Sequence, residues 1–293
     1  MKRSCVETGY YRDDFLRHFT KGYQKRSPVI NRGYYCRVKA VENILIKFCQ
    51  NFEDRPKQVV SLGCGFDTTF FRLKHHHNII FSNYIELDYK SIVSAKSEII
   101  KNEKKLFSHL KNFKIKNGIK SDDYNLMSCD LSNIETIKKA FSEHKISYSA
   151  PTIFIAECVL IYMDSESSNN LIEWTTKSFS DEIVFVNYEQ IHPGDCFSDM
   201  MIKNLAARNL FLKSFEQYPN LKSQEERFKN LGFDKAEAKD MNQIFEEIMD
   251  RNEIAKMQEL ELLDEIEELQ LIHRHYCIVV ASKNIKRCFL NIK

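Results

Sequence analysis

Two glycines between an apolar segment and a polar one are the first residues whose spacing suggests chemistry. Residues 59–69 have the sequence VVSLGCGFDTT, so Gly63 and Gly65 directly follow a predicted strand. Glycine has no Cβ, and both positions therefore allow unusual backbone angles and a close approach of the main chain to a ligand. A helix predicted to open at Asp67 would direct its free N–H groups to the same point. The pattern predicts a ligand-binding turn.

A carboxylate follows at a spacing typical of nucleoside sites. The next apolar strand, YIELD at 84–88, ends in Asp88, 21 residues after Asp67. An acid in this position hydrogen-bonds a ribose diol in nucleotide-binding folds. A dinucleotide also requires a small residue three positions after the second glycine, where Thr68 stands. S-Adenosylmethionine has a ribose but no phosphate, so we expect it, rather than NAD, as the cofactor.

Further acids follow the later predicted strands. Ligands of open α/β sheets bind beyond the carboxyl ends of the strands, and acids lie there at Asp88, Asp130, Glu157 and Glu189. We assign Asp88 to the ribose and Asp130, with Leu131, to the adenine. We expect Glu157 near the ammonium or sulfonium group of the donor. Asp130 has an alternative role, because it precedes a predicted helix and can serve as its N-cap.

Strands and helices alternate along the segment that must position these residues. We predict strands at 58–62, 79–88, 124–128, 151–157 and 182–188, and helices at 67–74, 89–105, 132–143 and 164–178. This alternation indicates crossover connections and a parallel sheet. The nearly continuous apolar runs at 151–156 and 183–186 are typical of strands covered on both faces. The predicted fold is therefore α/β, with a doubly wound, mostly parallel sheet.

One domain with four parts is predicted for the 293 residues. Residues 1–50 form an N-terminal helical cap, and 58–190 form the cofactor-binding core. Residues 191–232 are helical without a strand, and we expect them as a lid insertion over the strand ends. Residues 233–293 add the last strands and helices, with an amphipathic helical stretch at 241–272. Trp174 lies on an apolar helix face and is expected in the core.

Composition excludes several classes of partner. The chain has 43 basic and 41 acidic residues, a net charge of +2, and therefore no overall field that would attract nucleic acid or a membrane surface. Its nine cysteines are scattered through mostly apolar segments and predict reduced thiols. No stretch approaches 18 apolar residues, and the N-terminus lacks a secretory signal. We expect a cytoplasmic monomer, with entry into the nucleus left open.

Histidines give no predicted metal site. The adjacent imidazoles of His75, His76 and His77 follow a helix and cannot all point inward, so we interpret them as a solvated turn. His273 and His275 alternate on an incipient strand and lack cysteine or carboxylate partners at ligand spacing. We therefore predict no metal.

Several motifs in combination resemble one enzyme family. They are VVSLGCGFDTTFFRL at 59–73, YIELD at 84–88, IAECVLIYM at 155–163 and FVNYEQ at 185–190, with INRGYYCRV upstream at 30–38. In this order they resemble the leucine carboxyl methyltransferases over essentially the whole chain. The resemblance implies a class I methyltransferase (Rossmann-like) fold with a helical cap. It also implies methyl transfer from S-adenosylmethionine to the α-carboxylate of the C-terminal leucine of the type 2A protein phosphatase catalytic subunit.

The resemblance places the donor contacts on particular residues, namely Lys2, Arg37, Gly63, Asp88, Asp130, Leu131 and Glu157. A C-terminal carboxyl group has a reference pKa of about 3.3–3.7, so it is ionised at neutral pH and needs no general base. We expect the guanidinium of Arg37 to clamp a carboxylate, either the donor's or the acceptor's. Tyr162 and Tyr188 are candidates to donate hydroxyl hydrogen bonds to the acceptor, and simple packing explains them equally well.

Two other functions fit the same residues. A small-molecule O-methyltransferase would use a similar glycine turn with a different acceptor. A catalytically silent adaptor would keep the fold only to bind a phosphatase tail, and the presence of Arg37, Gly63, Asp88 and Glu157 argues against it. A related branch that methylates tRNA during wybutosine formation carries a long propeller region, which we do not expect here.

Overall fold

A nine-stranded sheet forms the centre of the computed structural model, which describes residues 1–144, 146–180 and 182–285. The strands are β1 Gln58–Leu62, β2 Asn83–Asp88, β3 Lys114–Ile115, β4 Gly118–Lys120, β5 Tyr124–Ser128, β6 Thr152–Glu157, β7 Ile183–Gln190, β8 Lys235–Asp240 and β9 Tyr276–Lys283. Their order is β3-β4-β5-β2-β1-β6-β7-β9-β8. The pairs from β5 to β7 are parallel, and the outer pairs are antiparallel. The predicted mostly parallel α/β sheet is confirmed.

The helices form a cap at the N-terminus and cover both faces of the sheet. They are α1 Lys2–Thr8, α2 Leu16–Phe19, α3 Pro28–Asn51, α4 Thr69–His76, α5 Lys90–Asn102, α6 Lys104–Phe107, α7 Ile134–His144, α8 Ser165–Ser178, α9 Cys196–Ala206, α10 Leu221–Asn230, α11 Met241–Ile248, α12 Arg251–Leu260 and α13 Ile266–Arg274. A short 3₁₀ helix, Leu160–Tyr162, follows β6. The long α3 begins with Pro28, whose fixed φ suits the first helical position.

Each face of the sheet has its own apolar core. Consecutive strand residues point to opposite faces, so Val59 belongs to the core that α3, α4, α5 and α11 share, whereas Val60 belongs to the core of α7, α8 and α10. Trp174 of α8 belongs to the second core and is 7% exposed, as predicted. The burial of both faces explains why the central strands are apolar without alternation.

Two parts of the sequence fold differently from the prediction. The antiparallel hairpin of β3 and β4 was not predicted, because strands of two and three residues carry too little periodicity to detect. The helical stretch predicted at 241–272 is divided into α11, α12 and α13. Asp240 and Asp250 accept hydrogen bonds from the backbone N–H groups of Gln243 and Glu253 at 2.9 and 2.8 Å. Asp240 caps α11 at the start of the stretch, and Asp250 caps α12 at the first point where the stretch is divided.

The helices in the predicted insertion at 191–232 lie in different places. Phe228 of α10 contacts Phe185 of β7, with 5.1 Å between the ring centroids, so α10 packs on the sheet. Helix α9 lines a cavity at the end of β7.

The cysteines of the described ranges are free thiols. They number eight, of which six are buried, while Cys158 is half-buried and Cys196 is exposed. Cys288 lies outside the described residues. Among the helices of the described ranges, none combines the length and the apolar character needed to cross a bilayer.

Candidate active site

The carboxyl ends of three central strands lie level with one another. In the register of the sheet, Leu62 of β1 lies beside Leu87 of β2 on one side and Ala156 of β6 on the other. The residues that follow, Gly63, Asp88 and Glu157, therefore lie at one edge of the sheet. The chain leaves β1 toward β2 and later returns on the other side as β6, which makes this edge a topological switch point.

The glycine turn has the backbone that its sequence predicts. Gly63 and Gly65 have φ angles of 62° and 51°, in the left-handed region. The N–H group of Gly65 donates a hydrogen bond to Oδ2 of Asp88 at 2.7 Å. A Cβ at position 65 would meet no atom within 4 Å, so the turn borders open space beside this carboxylate. An open cradle next to an acid fits a nucleoside.

Lys2 joins the N-terminal cap to this turn. Its Nζ lies 3.0 Å from Oδ1 of Asp67, and Oδ2 of Asp67 accepts a hydrogen bond from the N–H group of Thr69 at 2.9 Å. Burial alone would raise the pKa of Asp67, but the charges of Lys2 and Lys96 hold it well below its usual range. Asp67 is therefore a carboxylate that anchors α1 and the start of α4.

A second ion pair brings α3 to the end of β6. Nε of Arg37 donates to Oε2 of Glu157 at 2.6 Å, and the guanidinium lies 4.4 Å from the ring centre of Tyr188. Burial opposes both charges, yet Glu157 raises the pKa of Arg37 and Arg37 lowers the pKa of Glu157. Both groups are therefore ionised at neutral pH. The two terminal nitrogens of Arg37 donate no hydrogen bond to any described residue.

A cavity of about 560 Å³ opens beside this ion pair. Its polar lining includes Arg37, Tyr162 and Tyr188. The apolar lining side chains from α3, α9 and α13 are Val29, Ile30, Phe197, Met200, Met201, Leu205 and Ile272. The site thus has a polar turn at the ends of β1 and β2 and an apolar cavity at the ends of β6 and β7.

Tyr162 and Tyr188 of the cavity keep their protons at neutral pH. Tyr188 stacks on Tyr276, with 5.4 Å between ring centroids and an angle of 12° between the planes. Burial raises the pKa of Tyr162 and, more strongly, that of Tyr188.

Next to Glu157, Cys158 has a φ of 57°, an unfavourable angle for a residue with a side chain, and its N–H group bonds to the carbonyl of Tyr188 at 2.7 Å. This turn directs the chain from β6 along the cavity wall.

Sequence comparison identifies the family. The model of the family described as leucine carboxyl methyltransferase matches residues 6–176, more than half of the chain. The chain belongs to the leucine carboxyl methyltransferase family. A leucine carboxyl methyltransferase 1 homologue of Arabidopsis thaliana is 39% identical over 292 residues, covering 98% of this chain and 87% of that protein. Leucine carboxyl methyltransferase 1 of Bos taurus is 34% identical over 290 residues, covering 96% and 86%.

Other similar proteins extend this result. The tRNA wybutosine-synthesizing protein 4 of Homo sapiens is 31% identical, covering 96% of this chain but 42% of that protein. A crystal structure of a candidate methyltransferase from Thermobifida fusca superposes with a TM-score of 0.55 at 10% identity, covering 85% of this chain and 82% of that one. The predicted methyltransferase fold is confirmed, and so is the expectation of S-adenosylmethionine as cofactor.

Two predicted site residues of this methyltransferase, Asp130 and Leu131, make none of the contacts described above. Asp130 is exposed, and its Oδ1 accepts hydrogen bonds from the N–H and Oγ of Ser132 at 3.0 and 2.7 Å. Bonds of this kind are expected if Asp130 has its alternative role as an N-cap. However, α7 begins later, at Ile134. Leu131 is buried. The adenine contact of Asp130 and Leu131 stays a prediction.

One predicted strand-end acid lies elsewhere, and one residue was missed. Glu189 is inside β7, which extends to Gln190, and its side chain is buried on the face opposite Tyr188. There it accepts a hydrogen bond from Nε2 of Gln224 at 2.8 Å, so it does not belong to the ligand edge. Asp67 was predicted at the start of the helix after the glycine turn without an assigned partner, yet it carries the contact with Lys2. Its position two residues after the second glycine was the available signal.

Proposed function

We propose that this methyltransferase transfers the methyl group of S-adenosylmethionine to the α-carboxylate of the C-terminal leucine of a type 2A protein phosphatase catalytic subunit. The environment of Arg37 is the observation that most directly supports a carboxylate as the acceptor. Its guanidinium is oriented by Glu157 and Tyr188, its terminal nitrogens donate to no residue that the structure describes, and it faces a largely apolar cavity. A cation with apolar surroundings matches an apolar amino acid with a free carboxylate.

The residues of the chain divide into two groups in this proposal. Lys2, Gly63, Asp88, Asp130, Leu131 and Glu157 hold the donor, with Asp88 on the ribose. Arg37 clamps a carboxylate, and Tyr162 and Tyr188 direct their hydroxyls to the acceptor. When bound, S-adenosylmethionine supplies an electrophilic methyl group on a positively charged sulfur.

The cavity promotes the reaction by positioning and by excluding water. A hydrated carboxylate is a poor nucleophile, and the apolar side chains of α9 and α13 replace its water shell. Holding the reacting atoms about 3–3.5 Å apart supplies several kcal/mol through effective molarity. No proton has to be removed, because the carboxylate is already ionised.

The test compares phosphatase catalytic subunits that differ only at the C-terminus. The enzyme is incubated with radiolabelled S-adenosylmethionine and a subunit with a free terminal leucine, one without that leucine, or one with a C-terminal amide. We expect base-labile label on the first protein alone. Equal labelling of the amide would contradict the carboxylate assignment.

Small-molecule acceptors and a measurement of phosphatase-tail binding, added to this experiment, separate the alternatives. Transfer only to small phenols, alcohols or acids would favour a small-molecule O-methyltransferase. Binding of the phosphatase tail without any transfer would favour the silent adaptor.

The free thiols of the described cysteines support the proposed cytoplasmic location.

A further inference from the structure

Three potential metal ligands from two parts of the chain meet away from the methyl-transfer site. Asp14 lies between α1 and α2, and His75 and His76 lie in the last turn of α4. One ligand atom from each of the three lies within 4.8 Å of the other two. Nε2 of His76 and Oδ2 of Asp14 are 3.6 Å apart. The cluster joins the N-terminal cap to the helix that follows the glycine turn.

One nitrogen of this cluster lacks a hydrogen-bond partner among the described residues. This atom is Nε2 of His76, which is buried. A buried polar atom without a partner costs free energy, because it has given up its hydrogen bonds to water. The atom faces Oδ2 of Asp14 just beyond hydrogen-bond distance, so a cation between the two would give this nitrogen a partner.

The distances suit a tetrahedral transition-metal ion. Bonds of about 2.0–2.2 Å from Zn²⁺ to imidazole nitrogen and carboxylate oxygen place neighbouring ligand atoms about 3.4 Å apart. The separation of His76 and Asp14 is already close to this value. His75 is exposed at the helix end and can close the remaining gap of at most about 1.4 Å by side-chain rotation. Two imidazoles with one carboxylate select Zn²⁺, Ni²⁺ or Cu²⁺ over Mg²⁺ and Ca²⁺, which prefer oxygen ligands.

The surroundings orient these ligands. The ring of Phe15 packs against His75 and His76 at centroid distances of 5.6 and 6.2 Å, which gives the cluster an apolar wall. Arg12 contacts Oδ2 of Asp14 at 2.8 Å and would compete with a metal ion. Its side chain is 72% exposed, so this ion pair is weak and is displaced at little cost.

We propose that Asp14, His75 and His76 form a binding site for a divalent transition-metal ion of the Zn²⁺ class, which ties the N-terminal cap to α4. The neighbouring Asp13 already accepts a hydrogen bond from Oγ1 of Thr68 at 2.5 Å, so the ion would reinforce an existing contact next to the cofactor turn. The solvated-turn interpretation then holds for His77, whose Nε2 lies 3.3 Å from Glu42 and outside the cluster.

The test measures binding of ZnCl₂ to the full-length, untagged protein by calorimetry, with MgCl₂ as the hard-ion comparison. We expect one Zn²⁺ site, a higher melting temperature with Zn²⁺, and no comparable effect of Mg²⁺. His76→Ala and Asp14→Asn should each weaken Zn²⁺ binding at least tenfold. His77→Ala, in the same histidine run, is the matched control and should bind normally.

Two further variants keep the test decisive. His75→Ala changes an exposed side chain, so it reports on the site even if His76→Ala fails to fold. Arg12→Ala removes the competitor for Asp14 and should tighten binding. Loss of affinity in His77→Ala as large as in His75→Ala, or a wild-type protein that does not distinguish Zn²⁺ from Mg²⁺, would overturn the proposal.

Discussion

Arg37 keeps one nitrogen for Glu157 and leaves two for a ligand. Its Nε donates to Glu157, and its guanidinium lies over the ring of Tyr188, so the direction of the fork is fixed from two sides. A fixed fork can hold both oxygens of a carboxylate. A lysine ammonium is a single point of charge and would have to serve Glu157 and the ligand with the same group.

We therefore predict that Arg37→Lys lowers kcat/KM by about 10- to 100-fold, the equivalent of roughly 1.5–3 kcal/mol for a charged hydrogen bond. The fold should remain intact by circular dichroism. Calorimetry with S-adenosylmethionine on the same variant shows which carboxylate Arg37 holds, because only a donor contact would weaken that affinity. Arg251→Lys, at an exposed position on α12, should turn over normally. Normal turnover of Arg37→Lys would remove the residue from the mechanism.

The two glycines of the turn should respond differently to alanine. A Cβ at Gly63 would lie 2.7 Å from Cγ2 of Val159, whereas a Cβ at Gly65 meets nothing within 4 Å. Both have positive φ, which costs about 1–2 kcal/mol for a residue with a side chain. Gly63→Ala should therefore lose more stability than Gly65→Ala in urea unfolding without ligand. Val159→Ala should recover part of the loss at Gly63, and equal losses at both glycines would contradict the steric explanation.

At the scale of elements, one carboxylate holds the helix that forms the cavity wall. Oδ1 of Asp195 accepts a hydrogen bond from the N–H group of Ser198 at 3.0 Å and so caps α9. The same oxygen lies 2.8 Å from Nε2 of His275, a buried residue just before β9. Phe197 packs on the His275 ring with 4.4 Å between centroids. The start of α9 is thereby fixed to the sheet.

Loss of this cap should affect the acceptor more than the cofactor. Asp195→Ala should cost about 1 kcal/mol of stability, as for other N-caps. It should raise the KM for the phosphatase because α9 lines the cavity, and leave S-adenosylmethionine affinity unchanged. Asp250→Ala removes the N-cap of α12, which does not line the cavity, and serves as the control. An equal rise of the acceptor KM in both variants would contradict a specific role for α9.

The contribution of Asp195 should also depend on pH. Burial slightly opposes its charge, but hydrogen bonds with His275 and Ser198 lower its pKa to about 2. A carboxyl group with a depressed pKa stabilises the folded state above its unfolded pKa of about 3.9 and loses this effect as the pH falls through the folded value. The stability difference between wild type and Asp195→Ala should therefore shrink as the pH is lowered from about 4 toward 2.

At the scale of the whole molecule, the sheet brings the glycine turn, where we propose that the donor binds, and the apolar cavity, where we propose that the acceptor binds, to one edge. The turn lies at the ends of β1 and β2, and the cavity lies at the ends of β6 and β7. Helix α3 carries Arg37 between them and contacts Glu157. In this arrangement no side chain has to accept a proton from the acceptor.

The rate should therefore be nearly constant between about pH 6 and 8, because the acceptor carboxylate has a reference pKa of about 3.3–3.7. Three side chains of the cavity also keep their charge in this range. Glu157 raises the pKa of Arg37, burial raises that of Tyr162, and burial lowers the pKa of His273 to about 4. The check is kcat/KM as a function of pH with a stable phosphatase substrate. A slope of one in this range would show a titrating base and contradict the proposal.

The amino-acid sequence by itself determined the features that depend on neighbouring residues. The alternation of strands and helices follows from apolar periodicity, and the glycine turn follows from residues without Cβ atoms beside a strand. Asp88 and Glu157 were found at strand ends because each ends an apolar run. These signals lie within a few residues of each other, so no packing information is needed to detect them.

Only the tertiary structure decided which of these residues act together. Arg37 and Glu157 are 120 residues apart, and Lys2 and Asp67 are 65 apart. Glu189 does not lie at the predicted ligand edge, because pairing with β9 extends β7 to Gln190. Such contacts depend on which helix crosses which strand end, and the packing of the whole core sets that crossing. No local pattern of residues encodes it, since side chains far apart in sequence meet only after the sheet and its covering helices have assembled.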